Sequence, residues 1–321
     1  MAALGVISIL FSVGCRFSRN SSSDSFHLVE ISGFGSNPGG LRMFEYVPSS
    51  PRPNAEGVSA LVVAIHGCAQ NAQDFADHSG WPELANWAGF LLVFPEQSLT
   101  NNPAKCFNWF TAKNSRRDSG EALSIKQMVD KMRAEHRADP KRVFVTGLSA
   151  GGAMASIMLA TYPELFAGGA IMSGVPYGCA TSIIKSFSCL RSRINKTPRE
   201  WGDLVRHASP AVSWPIVSIW QGTRDKVLDP ANAEEETEQW TDVHGVSDAS
   251  SRSDTVEGHP HRTYFKNGRA VVEVYSIADM GHGQAVYPGS SDGRCGKSAM
   301  FFPDAHICAA FYASRFWGLV K

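Results

Sequence analysis

The sequence predicts an α/β domain built on a doubly wound, mostly parallel sheet with an antiparallel hairpin at its N-terminal end. Continuous apolar runs of strand length, such as "ALVVAIHG" (60–67) and "FLLVFPEQ" (90–97), fit strands buried on both faces. Segments with helical character alternate with these runs along the chain. The first two strand-like runs, "FHLVEISG" (26–33) and "LRMFEYVP" (41–48), are separated by "FGSNPGG", which is turn chemistry.

The elements follow in order. "FADHSGWPELANWAG" reads as a crossover helix between the first two buried strands. "DSGEALSIKQMVDKMRAEHRAD" places Ala122, Ile125, Met128, Val129 and Met132 on one helical stripe, with Asp118 or Ser119 as its cap. "RVFVTGL" is a strand, "SAGGAMASIMLATYP" a helix and "FAGGAIMSG" the next strand. Residues 175–213 have no clear period and are expected to form an insertion over one end of the sheet. "WPIVSIWQG" (214–222) and "AVVEVYSIADMG" (270–281) continue the alternation, and "DAHICAAFYASRFWGLV" reads as a closing helix. Residues 25–321 are thus expected to form a single domain.

Composition narrows the function. The 321 residues are 43% hydrophobic and 19% charged, enough to bury a sizeable core. Thirty basic residues balance thirty acidic ones, and no basic block suggests a nucleic-acid partner. No internal apolar stretch is long enough to span a membrane. The segment 1–24 differs from the rest: "MAALGVISILFSVGC" is apolar and "RFSRNSSSDS" is polar and serine-rich, as in an export signal followed by a spacer. Ser12-Val-Gly-Cys15 resembles a lipoprotein cleavage box, with Ser12 where a larger aliphatic residue is usual. Cys15 is therefore a candidate lipid anchor.

Six further cysteines, Cys68, Cys106, Cys179, Cys189, Cys295 and Cys308, suit a disulfide framework in a secreted or periplasmic protein. Many connectivities are open to six cysteines, and the simplest is sequential: 68–106, 179–189 and 295–308. No C-x-x-C pair suggests zinc, and neither a metal nor a cofactor is expected.

Two G-x-S-x-G matches occur, Gly147–Gly151 around Ser149 and Gly289–Gly293 around Ser291. A serine hydroxyl needs a histidine to take its proton, a carboxylate to orient that histidine, and backbone donors for the oxyanion. Ser149 follows a β-branched and aromatic strand and precedes a helix-compatible segment, the context of a nucleophile on a strained strand-to-helix turn. Ser291 lies in "YPGSSDGRCG", polar and turn-rich on both sides.

Asp225 and Asp229 lie just past the strand 214–222. Asp229 precedes Pro230 and reads as a helix N-cap, which leaves Asp225 as the acid. Five histidines follow Asp225: His244, His259, His261, His282 and His306. Only His282 sits in a glycine-flanked turn after a strand and reads as the base. His259 and His261 read as a loop pair, and His306 as structural. The oxyanion donors are expected to be the amides of Ala150 and Cys68, the latter on a loop that a Cys68–Cys106 bridge would pin. That bridge would bring "CFNWF", and with it Trp109, towards the site.

"IHGCAQNAQDFADHSGW", "CFNWF", "GEALSIKQMVD", "RVFVTGLSAGGAMA", "VPYGCA" and "DMGHG" together resemble the polyhydroxybutyrate depolymerase family of esterases. That family shares a fold with the feruloyl and acetylxylan esterases of carbohydrate esterase family one. The resemblance runs from the first hairpin to "FWGLV" and implies an exported serine esterase with the α/β-hydrolase fold and no metal. It implies a triad on Ser149, Asp225 and His282 and an oxyanion loop on His66-Gly67-Cys68. Trp109 and His66 are the candidate substrate-binding residues.

Exported depolymerases that erode solid polyester usually carry a separate polymer-binding module after the catalytic domain, and none is expected in this sequence. Polyester oligomers, amorphous polyester or acylated plant-wall polysaccharide are the expected substrates. Two other outcomes are weighed: an acyltransferase using the same triad, and a hydrolase-fold binding module without catalysis.

Overall fold

The computed structural model describes residues 25–191, 194–289, 291 and 293–320. The expected export segment and the candidate lipid anchor at Cys15 lie outside the described residues. Among the described residues no helix is long and apolar enough to cross a membrane.

The architecture is α/β, an α/β-hydrolase fold organised on one ten-stranded mixed sheet. The N-terminal hairpin pairs β1 (Val29–Ile31) with β2 (Arg42–Tyr46), and β2 runs antiparallel to β4 (Leu91–Glu96). β4, β3 (Ser59–Ile65), β5 (Ala138–Leu148), β6 (Gly168–Met172), β7 (Ile216–Gly222) and β10 (Arg269–Ile277) form the parallel centre, in that spatial order. Every residue of β3, β4, β6 and β7 is buried, as their mostly apolar sequences lead one to expect. The parallel strands all end on one side of the sheet, where loops gather residues distant in sequence.

The far edge was not foreseen. β8 (Ser251–Val256) and β9 (His259–Lys266) extend the sheet antiparallel beyond β10. His259 and His261, expected in a loop, lie on β9. Four of the six residues of β8 are exposed, so no apolar alternation marks it.

The helices follow the expected order with two corrections. The crossover between β3 and β4 is two helices, α1 (Ala72–Ser79) and α2 (Trp81–Ala88), broken at Gly80. Gly80 has φ 84°, and an added Cβ would lie 2.8 Å from Cys295 Sγ, so the break requires glycine. α3 (Gly120–His136) buries all five residues of the expected stripe, with Ser119 at its N-cap. α4 (Ala150–Thr161) is buried throughout. Residues 175–213 carry α5 (Ile183–Leu190) and α6 (Pro198–Ala208), the latter opened by a Thr197–Glu200 capping box.

α7 (Asn232–His244) starts later than Asp229 predicted: Ala231 occupies the cap, and Asp229 instead accepts the Ala231 N–H in the preceding turn. The closing helix α8 (Ala309–Phe316) is shorter than its sequence pattern because Cys308 starts it, bonded to Cys295. The other bridges join Cys68 to Cys106 and Cys179 to Cys189, with Cα separations of 4.2 and 5.8 Å.

Candidate active site

β5 delivers Ser149 at the centre of the sheet, and α4 begins at the next residue. The backbone of Ser149 stands at φ 58°, ψ −117°, outside the regions that L-residues favour. Such a residue costs about 1–3 kcal/mol and persists only where its surroundings impose it. The surroundings are tight: the Ser149 N–H donates to Met172 O (2.9 Å) and its carbonyl accepts from Ala153 N (2.9 Å). A Cβ on Gly147 would lie 2.1 Å from Gly151 O, and one on Gly151 2.2 Å from Ile65 O. The glycines let strand and helix approach closely around a half-buried serine. Ser291 is exposed in a loop with neither strand before it nor helix after it.

Asp225 follows β7 with its carboxylate fully enclosed. Oδ1 accepts the Val227 and Leu228 amides, 2.9 Å each. Oδ2 accepts from His282 Nδ1 (2.7 Å) and Gln221 Nε2 (3.0 Å). Burial pushes this carboxyl up, but the His282 contact and the amide donors outweigh it and hold Asp225 below its ordinary range. With Nδ1 committed to Asp225, the Nε2 edge of His282 is left for chemistry. His282 and Ser149 line one cavity.

The other histidines are engaged elsewhere: His244 with Pro215 O, His259 with Ala305 O, and His261 with Asp254 and Glu273. His306 is exposed in the turn before α8. Arg224 pairs with Asp279, leaving Asp225 to the interior.

The loop after β3 departs from expectation at one residue. His66, expected at the substrate wall, is fully buried and does not line the cavity. Burial pulls its imidazole down to about 4, so it is neutral. Its Nδ1 donates to Gly67 O (2.7 Å) and its Nε2 accepts the Gln97 amide (3.1 Å). It braces the loop from below. The Gly67 N–H donates to Gln70 Oε1, and the Ala69 N–H to Ala104 O. The Cys68 N–H between them has no acceptor among the described residues. Ala150 opens α4, where N–H groups have no intrahelical acceptor. Both Cys68 and Ala150 line the cavity.

Glu121 carries the loop that Cys106 joins to Cys68, and no local pattern announced it. Its buried carboxylate accepts the Asn108 amide (2.8 Å), Asn108 Nδ2 (2.7 Å) and Gln97 Nε2 (2.7 Å), with Asn101 Nδ2 at 3.3 Å. Gln97 also donates to Cys106 O. Burial pushes the Glu121 carboxyl up, against the pull of these donors. Glu121→Ala would strand several buried donors at about 1–3 kcal/mol each. A clear drop in thermal midpoint and faster proteolysis within 98–110 are the expected outcome. A midpoint equal to wild type would show that the cluster does not hold the loop.

The cavity holds about 280 Å³. Apolar side chains dominate its wall, among them Trp109, Phe110, Val175, Leu190, Val227 and Phe301. Trp109 lines the cavity together with Cys68 and Cys106. Trp220 is core, stacked on Tyr275 at 3.8 Å. Among the described residues no group of three or more His, Cys, Asp or Glu could hold a metal ion.

Residues 45–260 match the family model described as esterase PHB depolymerase. The chain is 46% identical over 303 residues to the poly(3-hydroxyalkanoate) depolymerase C of Paucimonas lemoignei, covering 94% of this chain and 72% of that one. It is 32% identical over 265 residues to feruloyl esterase B of Talaromyces stipitatus, covering 79% and 72%. Among solved structures, the acetyl xylan esterase from Aspergillus awamori matches with a TM-score of 0.71 and 26% identity, covering 80% of this chain and 94% of that one.

Proposed function

The chain belongs to the esterase PHB depolymerase family, and from that membership we propose that it hydrolyses short-chain polyhydroxyalkanoate polyester or its oligomers through an acyl-enzyme on Ser149. The observation that carries this reading is the Asp225–His282 pair opening onto the same apolar cleft as the strained Ser149 turn.

The Ser149 Oγ attacks the ester carbonyl carbon while its proton passes to His282 Nε2. The carbonyl oxygen takes the negative charge and is held by the N–H groups of Cys68 and Ala150. The bond to the leaving alkoxide breaks, and that oxygen takes the proton from His282. Water then attacks the acyl-enzyme, gives its proton to the same nitrogen, and the acid leaves as Ser149 recovers its hydrogen. Asp225 fixes the Nδ1–H tautomer and stabilises the imidazolium that forms at each step.

Residues 25–321 act as one catalytic domain, with 175–213 supplying part of the cleft wall through Val175 and Leu190. The three disulfides favour an exported, oxidised protein. A second reading, an esterase of feruloylated or acetylated plant-wall polysaccharide, is favoured by the aromatic pair Trp109 and Phe110 in the cleft and by the relatives named above. Hydroxybutyrate oligomers, feruloylated sugars and acetylated xylan, assayed side by side, separate the two. The highest kcat/KM is expected on the oligomers, and a preference for feruloyl or acetyl esters would replace the first reading with the second.

A further inference from the structure

α5 is built the wrong way round for a helix that serves only the fold. Its inward residues are Ser186 and Cys189, both buried, with Ser186 and Leu190 lining the cleft. Its outward residues are Ile183, Ile184 and Phe187, which expose 57%, 78% and 66% of their surface. Spaced at i, i+1 and i+4, they form one apolar face. Single exposed apolar residues are ordinary, but three large ones on one turn of an eight-residue helix are not.

The helix is fixed in place. The Cys179–Cys189 bridge holds its end, Leu190 O accepts the Asp229 amide (2.8 Å), and Arg191 Nη1 donates to Lys226 O (3.1 Å). These last contacts join α5 to the 226–229 segment, where Val227 is half exposed and also lines the cleft. The exposed face thus stands on a helix whose Ser186 and Leu190 line the candidate active site, next to the segment that carries Val227. Between Ile183 and Leu190 the only charged residue is Lys185, and no carboxylate is present.

We propose that the outward face of α5, extended by Val227, is the surface by which this protein settles on an insoluble, uncharged aliphatic ester, so that chains at the solid surface meet the cleft. This rests on the esterase reading above. A cleft of about 280 Å³ is filled by a short piece of substrate. Apolar area outside its rim can be covered only by something broader than the unit being cleaved. A polyester surface offers neutral methyl and methylene groups to cover it and ester bonds to enter the cleft beside it. The face thus supplies adsorption, and the cleft supplies chemistry.

The test uses the full chain and the double variant Ile184→Ser/Phe187→Ser, which leaves the cleft residues in place. The control is Val212→Ser: Val212 is almost fully exposed but precedes β7, at the opposite end of that strand from Asp225. Depletion from solution by amorphous poly(3-hydroxybutyrate) film, acid release from that film, and turnover of a soluble activated short-chain ester are measured on each. The double variant is expected to lose about tenfold in adsorption and in film hydrolysis. It should keep soluble-ester turnover within about twofold of wild type, as should Val212→Ser on every measure.

Equal adsorption by wild type and double variant would overturn the proposal, as would equal loss in Val212→Ser. So would a wild-type dimer that the double variant converts to monomer, because a second copy would then cover the face. Adsorption to phosphatidylcholine vesicles but not to film would overturn it in favour of a lipid surface. Failure of the esterase reading looks different: the soluble ester would then be turned over equally by wild type and Ser149→Ala.

Discussion

Ser149→Ala is expected to lower turnover of a soluble activated ester by about four orders of magnitude or more, with the thermal midpoint close to wild type. The hydroxyl makes no hydrogen bond that the fold depends on, so its removal takes away the nucleophile and little else. The backbone at φ 58° is as strained in alanine as in serine, because the penalty comes from Cβ, which both possess. The residual rate would be what the cleft and the Cys68 and Ala150 amides achieve with water alone. A fluorophosphonate probe should label the wild type once and the variant not at all. Activity within tenfold of wild type would transfer the role to another group, with Ser291 the first to examine.

Asp225→Asn is the second large effect, at about three to four orders of magnitude in kcat with the fold retained. The reason lies in the four donors around the carboxylate. The Val227 and Leu228 amides require an oxygen at the Oδ1 position, so the new NH2 is forced to the Oδ2 position. There it meets Gln221 Nε2 and His282 Nδ1–H, both donors. Relief comes when His282 moves its proton to Nε2, the tautomer that cannot accept from Ser149.

A stability signature accompanies the loss. Asp225 is held below its ordinary range when folded. Its ionised form therefore stabilises the protein above the unfolded value of about 3.9, and that contribution fades as pH falls through the lower folded value. Thermal midpoints measured from neutral pH into this acidic window should fall less steeply in Asp225→Asn than in wild type. Parallel curves, or a variant that retains more than a few per cent of kcat, would remove Asp225 from this role.

Much of this was legible because it is local or ordered along the chain. The continuous apolar runs of β3 and β4 announce strands buried on both faces. Ser149, Asp225 and His282 each sit just past a strand, and local context sets them apart: Ser291 lies in a polar, turn-rich segment, Asp229 precedes Pro230, and only His282 of the five histidines sits between glycines. β8 was not legible, because an edge strand with both faces in water has no apolar alternation to show. The turn after β9 did carry a signal: Asn267 and Gly268 both have positive φ, the Asn-Gly pairing of a tight hairpin. Gly80 followed by Trp81-Pro82 likewise marked the break between α1 and α2.

Gln221 and Glu121 were beyond sequence reasoning for a different reason. An amide and a carboxylate inside a strand and a helix look like any polar residue until the fold shows what they face. His66 makes the converse point. It belongs in sequence to the loop expected to hold the oxyanion, but its ring turns beneath that loop rather than into the cleft, and only packing decides that.

The sheet order also bears on what the Asp225–His282 contact requires of the chain. β10 pairs in parallel with β7, and the hairpin of β8 and β9 lies between them in sequence but outside them in space. His282 follows β10 by a few residues, so it reaches Asp225 only where β10 lies beside β7. Ser149 and Asp225 both precede β10 in the chain, and His282 alone of the three follows it. The Asp225–His282 contact therefore depends on the same pairing that joins the β8–β9 hairpin to the rest of the sheet.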